Sequence, residues 1–273
     1  MPEFIDVAIQ AAREAGRYLL ENRGKISPEN IDEKAQNDFV TFVDQNSEKM
    51  IVETILSHFP EHKILAEEGT RRSGENAFRW IIDPLDGTKN FIQNIPEFSV
   101  SIALQQNEEI IIGVVYDPVH DELFAAEKGS GATCNGKQMK ISTRPFSRAL
   151  IATGFPFKFK EYLPKYLLAF EEVFLKCSGM RRMGSAALDL SHTALGRFEG
   201  FFELGLSMWD IAAGSLLIQE TGGIVTDFRG ENHFLDTGFI IAGNPEVHRA
   251  LLEVTKHHFS QTIQNLEKRH HAG

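Results

Sequence analysis

The order of residues predicts a mixed α/β protein built as two α/β lobes. Two observations carry that prediction. Apolar residues recur at helical spacing in long segments near both ends, and short runs rich in β-branched residues, bounded by Gly, Pro and Asp, alternate with them. No internal repeat or low-complexity linker interrupts this alternation. With 273 residues the chain can bury roughly three quarters of its extended surface, enough for one large domain or two packed lobes. Its 42% apolar and 24% charged residues fit a folded globular chain.

Phe4, Ile5, Ala8, Ile9, Ala12, Ala15, Leu19 and Leu20 make one apolar helical face, and Val43, Ser47, Met50, Ile51, Thr54, Ile55 and Phe59 make a second that stops before Pro60. The pair is expected side by side over a sheet, with polar 34–38 between them. After Pro60 the period shortens. Ile64–Ala66 and Phe78–Ile82 read as strands, and Phe98–Leu104 with Ile110–Tyr116 as an antiparallel hairpin. Glu122–Ala126 adds a strand before the glycine-rich turn at Gly129, Gly131 and Gly136. The second half is read as strand Ala149–Thr153, helices Tyr162–Phe174 and Ser185–Leu195, strand Gly200–Leu204, and helix Ile211–Thr221 stopped by Gly222 and Gly223. Strands Ile224–Asp227 and Phe239–Ala242 and helix Glu246–Phe259 complete it. The lobe boundary is placed near 140–150, giving 1–145 and 146–273.

The formal charge of −10, from 38 acidic against 28 basic residues, disfavours nucleic acid and anionic membranes as partners. It also repels a phosphate ester unless cations or local donors reverse the sign at the site. No apolar run reaches membrane-spanning length, and Asp6, Gln10, Arg13, Glu14 and Arg17 interrupt any signal-like run. Cys134 and Cys177 are far apart and read as reduced thiols of a cytoplasmic protein. His257, His258, His270 and His271 read as a helix fraying into a polar tail rather than a zinc site.

The most informative segment is Trp80-Ile81-Ile82-Asp83-Pro84-Leu85-Asp86-Gly87-Thr88. A buried strand ends in a carboxylate, and three residues later a second carboxylate precedes glycine and threonine. Pro84 is expected to stop the strand. Asp86-Gly87-Thr88 then opens a turn or short helix whose free N–H groups face an anion. Two hard carboxylates beside such amides suit magnesium, although an Asx-capped β-turn would use the same residues. Asp44 starts a helix and reads as either a cap or a functional acid. Glu67 and Glu68 read as a solvated pair or as ligands, and Asp210, after Trp209, as a cap or a carboxylate aimed into a site. Other chemistries lack their signatures: there is no P-loop and no His-Glu-x-x-His motif.

These ordered motifs resemble the inositol monophosphatase family, within the wider group that includes fructose-1,6-bisphosphatases and 3′-phosphoadenosine-5′-phosphate phosphatases. The matching elements are Thr41-Phe42-Val43-Asp44, Glu67-Glu68, Asp83 to Thr88 and Trp209-Asp210-Ile211-Ala212-Ala213-Gly214, and the likeness runs from about residue 4 to about residue 255. The resemblance implies a layered αβαβα sandwich and a magnesium-dependent, lithium-sensitive phosphatase acting on a small phosphorylated polyol, most simply inositol 1-phosphate. It implies Glu67, Asp83 and the Leu85 carbonyl around one Mg2+, and Asp83, Asp86 and Asp210 around another. Water activated by metal is the implied nucleophile, with Thr88 holding it, Asp44 orienting Thr88, Glu67 accepting the proton and Lys34 giving electrostatic support.

The phosphate is implied to meet the Gly87 and Thr88 amides, with Asp86 and Asp210 beside it. The alcohol is implied to meet Gly184, Ser185, Ala186 and Glu203, with Phe155-Pro156-Phe157 shaping the cleft. Lys89 departs from the threonine common in inositol monophosphatases and is usual in the adenosine-bisphosphate branch. Adenosine-bisphosphate, histidinol-phosphate and fructose-bisphosphate activities therefore stay open, as does a non-catalytic regulatory role. A homodimer is implied, and Arg181 and Arg182 are candidates for a dimer or protein-partner contact.

Overall fold

A computed structural model describes residues 3–26, 31–35 and 38–270, the side chains of 31–39 and 260–270 excepted. The first half runs α1 (Phe4–Asn22), β1 (Ile31–Ala35), β2 (Asp38–Thr41), α2 (Phe42–His58), β3 (Lys63–Ala66), β4 (Arg71–Arg72), β5 (Phe78–Asp86), α3 (Thr88–Ile92), β6 (Ser99–Gln106), β7 (Glu109–Asp117), β8 (Glu122–Glu127), β9 (Gly131–Cys134) and β10 (Lys137–Gln138). The second half continues with β11 (Leu150–Thr153), α4 (Leu163–Lys176), β12 (Gly179–Arg181), α5 (Ala186–Ala194), β13 (Gly200–Leu204), α6 (Met208–Glu220), β14 (Ile224–Thr226), α7 (Phe234–Thr237), β15 (Phe239–Gly243) and α8 (Pro245–His270).

Three cores make five layers. Strand side chains alternate between faces, so each sheet can serve two cores at once. In the eight-stranded sheet, ordered β10-β9-β8-β7-β6-β5-β3-β4, Trp80 and Ile82 pack with Ala8, Ala12 and Ile51 of α1 and α2. Ile81, between them, faces the opposite way and joins α5 and α6. In the five-stranded sheet, ordered β12-β11-β13-β15-β14, Phe201 and Ile240 face that same middle helical layer. Phe202 and Ile241 point outward against α4 and α8. The layers are therefore helix, sheet, helix, sheet, helix. Burial on both faces explains why the strands read as continuous apolar runs rather than clean alternations.

The middle layer is thin because its helices carry small residues where they meet the sheet. A Cβ added at Gly113 of β7 would lie 2.6 Å from the Ala213 carbonyl oxygen of α6, and one at Gly214 would lie 2.5 Å from Leu190 Cβ of α5. The sequence Ala212-Ala213-Gly214 thus sets the approach of α6 to strand and helix together.

Three expectations change. Pro84 does not end β5. The pairing with β6 holds at Asp83↔Ser101, shifts register across Pro84-Leu85, and resumes at Asp86↔Ser99. A proline cannot donate to the ladder, so the strand bulges past it instead of stopping. Asp44 and Asp210 are not N-cap residues: each is the third residue of its helix and completes a capping box with Thr41 and Ser207 respectively. Finally, α8 continues to His270, well beyond Phe259. Both cysteines are free, and among the described residues no helix is long and apolar enough to cross a membrane.

Gly113→Ala should destabilise the protein by about 1–3 kcal/mol through overpacking against the α6 backbone. Denaturant unfolding would check this, and an unchanged midpoint would show that the middle layer yields to a methyl group.

Candidate metal and phosphate site

Three carboxylates from separate parts of the chain converge at the end of β5. Asp83 and Asp86 leave either side of the bulge, and Asp210 enters from the first turn of α6. Their ligand oxygens lie within 4.8 Å of one another. Each carboxylate is fixed through one oxygen by a backbone N–H. Leu85 N donates to Asp83 Oδ1 at 3.0 Å, Ala187 N to Asp86 Oδ2 at 2.7 Å, and Ser207 N to Asp210 Oδ2 at 2.6 Å. The Ser185 hydroxyl adds a second bond to Asp86 Oδ2 at 2.6 Å. This anchoring leaves the other oxygen of each acid without a backbone partner and able to serve a shared cation.

Like charges this close raise one another's pKa. Asp83 is held well above the ordinary carboxylate range, first by burial and then by Glu67, Asp86 and Asp210. Burial raises Asp86 to about 6 against the Ser185 and Ala187 bonds, which lower it. Asp210 rises to about 7, from burial and then the charge of Asp86. Acids gathered this closely repel one another, and cations between them would offset that repulsion. The oxygen-only donor set suits a hard divalent ion.

Glu67 stands on the turn after β3, where its N–H donates to the Ile82 carbonyl at 3.1 Å. That turn is gripped by buried Glu48 of α2, which accepts from Glu68 N at 2.6 Å and Thr70 N at 2.9 Å. The sequence reading passed over Glu48. Its signal was available, since Glu48 lies one helical turn beyond Asp44 on the same face. Asp44 itself, raised by burial, accepts the Thr41 N–H at 2.8 Å and hydroxyl at 2.6 Å through Oδ2. Its Oδ1 lies 3.1 Å from the Thr88 hydroxyl, which is also 3.1 Å from the Leu85 carbonyl oxygen. Gly87 adopts φ 99°, and a Cβ there would lie 2.9 Å from the Glu97 carbonyl oxygen. Only glycine fits the turn that starts α3. Lys34 falls in β1, and its side chain is outside the described residues.

Beside the carboxylates lies a polar cavity of about 110 Å³. Gly184, Ser185 and Ala186, at the start of α5, and Glu203 of β13 line it. Gly154 leaves room for the Glu203 carboxylate, since a Cβ there would sit 2.0 Å from Glu203 Oε1. Burial raises Glu203 to about 8, against the opposing charge of Arg182. Both adjacent arginines are exposed, but only Arg182 lines the cavity, where it lies over the Phe157 ring, while Arg181 ends edge strand β12. Phe157 also stacks with Lys89, while Phe155 packs against Tyr166. Asp189, absent from the sequence reading, lines this cavity too.

A second cluster, Glu172 with His257 and His258, joins α4 to α8. His258 Nε2 is 2.8 Å from Glu172 Oε2, while Lys176 bonds the other oxygen at 2.6 Å. The two imidazoles stack at 22°, and His257 Nδ1 lies 3.7 Å from the same Glu172 Oε2. The cluster ties the two helices together.

Comparison with known proteins places this geometry. The model of the inositol monophosphatase family matches residues 1–264. Nus factor SuhB of Escherichia coli (strain K12) is 44% identical over 266 residues, spanning 97% of this chain and 100% of that protein. The crystal structure of extragenic suppressor protein suhB from Bartonella henselae superposes with a TM-score of 0.88 at 41% identity, covering 92% of this chain and 97% of that one. The inositol monophosphatase from Anabaena (Nostoc) sp. PCC 7120 gives 0.83 at 40% identity, covering 92% and 94%.

The raised pKa values carry a sign. A buried acid titrating higher in the folded state supports folding fully below its unfolded pKa and loses that contribution as pH rises through its folded value. In chelator the melting temperature should therefore fall between about pH 4 and pH 7, the window set by Asp86 and Asp210. Adding magnesium should restore it. A melting temperature in chelator that is flat or rising across this window would show that the carboxylates do not repel.

Proposed function

This chain belongs to the inositol monophosphatase family, and we propose that it hydrolyses inositol 1-phosphate to inositol and inorganic phosphate with magnesium as cofactor. The observation that carries this reading is the convergence of Asp83, Asp86 and Asp210 at the rim of a polar cavity that holds Glu203. In this reading Glu67, Asp83 and the Leu85 carbonyl hold one magnesium, and Asp83, Asp86 and Asp210 another. When bound, the ions offset the acid charge and stabilise the charge that builds on the phosphoryl oxygens and leaving alkoxide.

The protein's own groups do the positioning. Thr88 donates a hydrogen bond from its hydroxyl to Asp44, which leaves its oxygen lone pairs to accept from the attacking water. Glu67, beside the same acids, takes that water's proton. The Gly87 and Thr88 N–H groups hold phosphate oxygens in line with the attack, next to Asp86 and Asp210. The alcohol lies in the cavity, where Gly184, Ser185 and Ala186 bring backbone close and Glu203 accepts from a hydroxyl.

The cavity is small, about 110 Å³, and lined by carboxyls that pair with hydroxyls, which favours a polyol monoester over fructose 1,6-bisphosphate or adenosine 3′,5′-bisphosphate. A protein-partner role alongside catalysis has separate support. A relative bears the name Nus factor, and α4 presents Leu167, Leu168, Phe174 and Leu175 to the surface, Leu175 at 75% exposure. That apolar face also supports a homodimer, to be read by light scattering; exposed Arg181 is available to the same contacts.

Asp83→Asn should lower magnesium-dependent turnover of inositol 1-phosphate by at least about 100-fold, the scale of removing one principal electrostatic group. Turnover unchanged under magnesium titration would remove Asp83 from the mechanism. Glu203→Ala should instead raise KM more than it lowers kcat, and steady-state kinetics showing an intact KM would remove Glu203 from alcohol binding.

A further inference from the structure

We infer that Asp189 is a second hydroxyl-binding group of the cavity, which with Glu203 selects phosphate monoesters of alcohols bearing several hydroxyls. The inference rests on the phosphatase reading and deepens it. Ser185 caps α5 and bonds Asp86, and Asp189 follows exactly one helical turn later on the same face. The face that grips the carboxylate cluster therefore also looks into the alcohol cavity, which Asp189 lines together with Glu203, Arg182 and Thr153.

The state of the side chain points to a ligand. Asp189 is only 1% exposed, yet its Oδ1 has no hydrogen-bond partner among the described residues. A buried polar atom left without a partner costs about 1–3 kcal/mol, so such atoms are rare unless something else satisfies them. Its neighbours are satisfied differently: Thr193 and Ser191 bond carbonyls one turn back, in the usual manner of helical hydroxyls. Asp189 does not cap a helix and does not stand in the carboxylate group formed by Asp83, Asp86 and Asp210. A role in holding the cluster's cation is therefore not supported.

The chemistry of the cavity narrows the ligand. Four acids, Asp86, Asp189, Glu203 and Asp210, line the cavity with one guanidinium, so it is rich in groups that pair with hydroxyls. A hydroxyl can donate to a carboxylate or accept from a protonated carboxyl, and so pairs with either form. An alcohol with hydroxyls on different sides can satisfy Asp189 and Glu203 together. A single-armed or aromatic alcohol leaves Oδ1 unpaired.

The test compares two kinds of ester under magnesium, using the full chain. Inositol 1-phosphate and glycerol 2-phosphate supply hydroxyls, and p-nitrophenyl phosphate supplies none. Asp189→Ala should lower kcat/KM for the polyol esters by about 10- to 100-fold, the scale of leaving a buried polar group without its partner, mainly through KM. Asp189→Asn, which keeps the shape and one acceptor, should lose less. Both variants should hydrolyse p-nitrophenyl phosphate within about twofold of wild type, which also reports that they fold. An equal loss on all three esters, or no loss on the polyols, overturns the inference while leaving the phosphatase reading intact. Wild-type protein active only on p-nitrophenyl phosphate overturns the inference and the inositol 1-phosphate assignment, leaving a phosphatase of another substrate. Wild-type protein that hydrolyses none of them overturns the phosphatase reading, and this inference with it.

Discussion

Carboxylates gathered in a buried place repel one another, and that repulsion is the constraint around which the rest of this structure is arranged. Asp83, Asp86 and Asp210 are each held by a backbone N–H, and the three donors come from a strand bulge, a helix start and a helix entry. Fixed dipoles of this kind do not rearrange when charge changes nearby, which keeps the acids converged whether protons or cations neutralise them. The outward order of supports follows the same logic. Glu48 holds the turn that carries Glu67, and Asp44 ties Thr41 to Thr88.

The layered fold makes this gathering possible. The α6 helix lies between two sheets and brings Asp210 to the end of β5 only because Gly113, Ala213 and Gly214 permit close approach. Strand pairing then sets the second side of the site. β11 and β13 run parallel with Thr153 beside Phe202, one residue before Glu203, so Gly154 and Glu203 meet at the cavity. Fold and site are therefore not separable. The small residues that thin the middle layer are also what close the distance between carboxylates encoded more than a hundred residues apart.

Capping chemistry recurs in an instructive way. Asp44 and Asp210 both sit at the third position of a helix and reach back to the N–H of the capping residue. A local reading of either as a helix-start acid or as a site acid set the two roles against each other. The structure gives them both: one oxygen serves the helix, and the other faces Thr88 in the first case and the carboxylate group in the second.

Much of this was legible in the order of residues. Helical spacing from Phe4 to Leu20, the hairpin around Asn107, and the ends of β13 at Gly200 and Leu204 all follow from short-range periodicity and turn chemistry, which depend on neighbours in the chain. The ordered motifs also singled out the acids that converge. The bulge at Pro84 was not legible, because whether a strand stops or bulges depends on what the paired strand offers across the ladder. Glu48 and Asp189 were missed for a related reason. Each is an acid inside an apolar helical face, and only the packing of that face against a turn or a cavity shows what it meets. The sequence by itself determined the elements and which side chains carry charge. Only the tertiary structure decided which charges share a space, because electrostatic coupling falls with distance through space and is blind to distance along the chain.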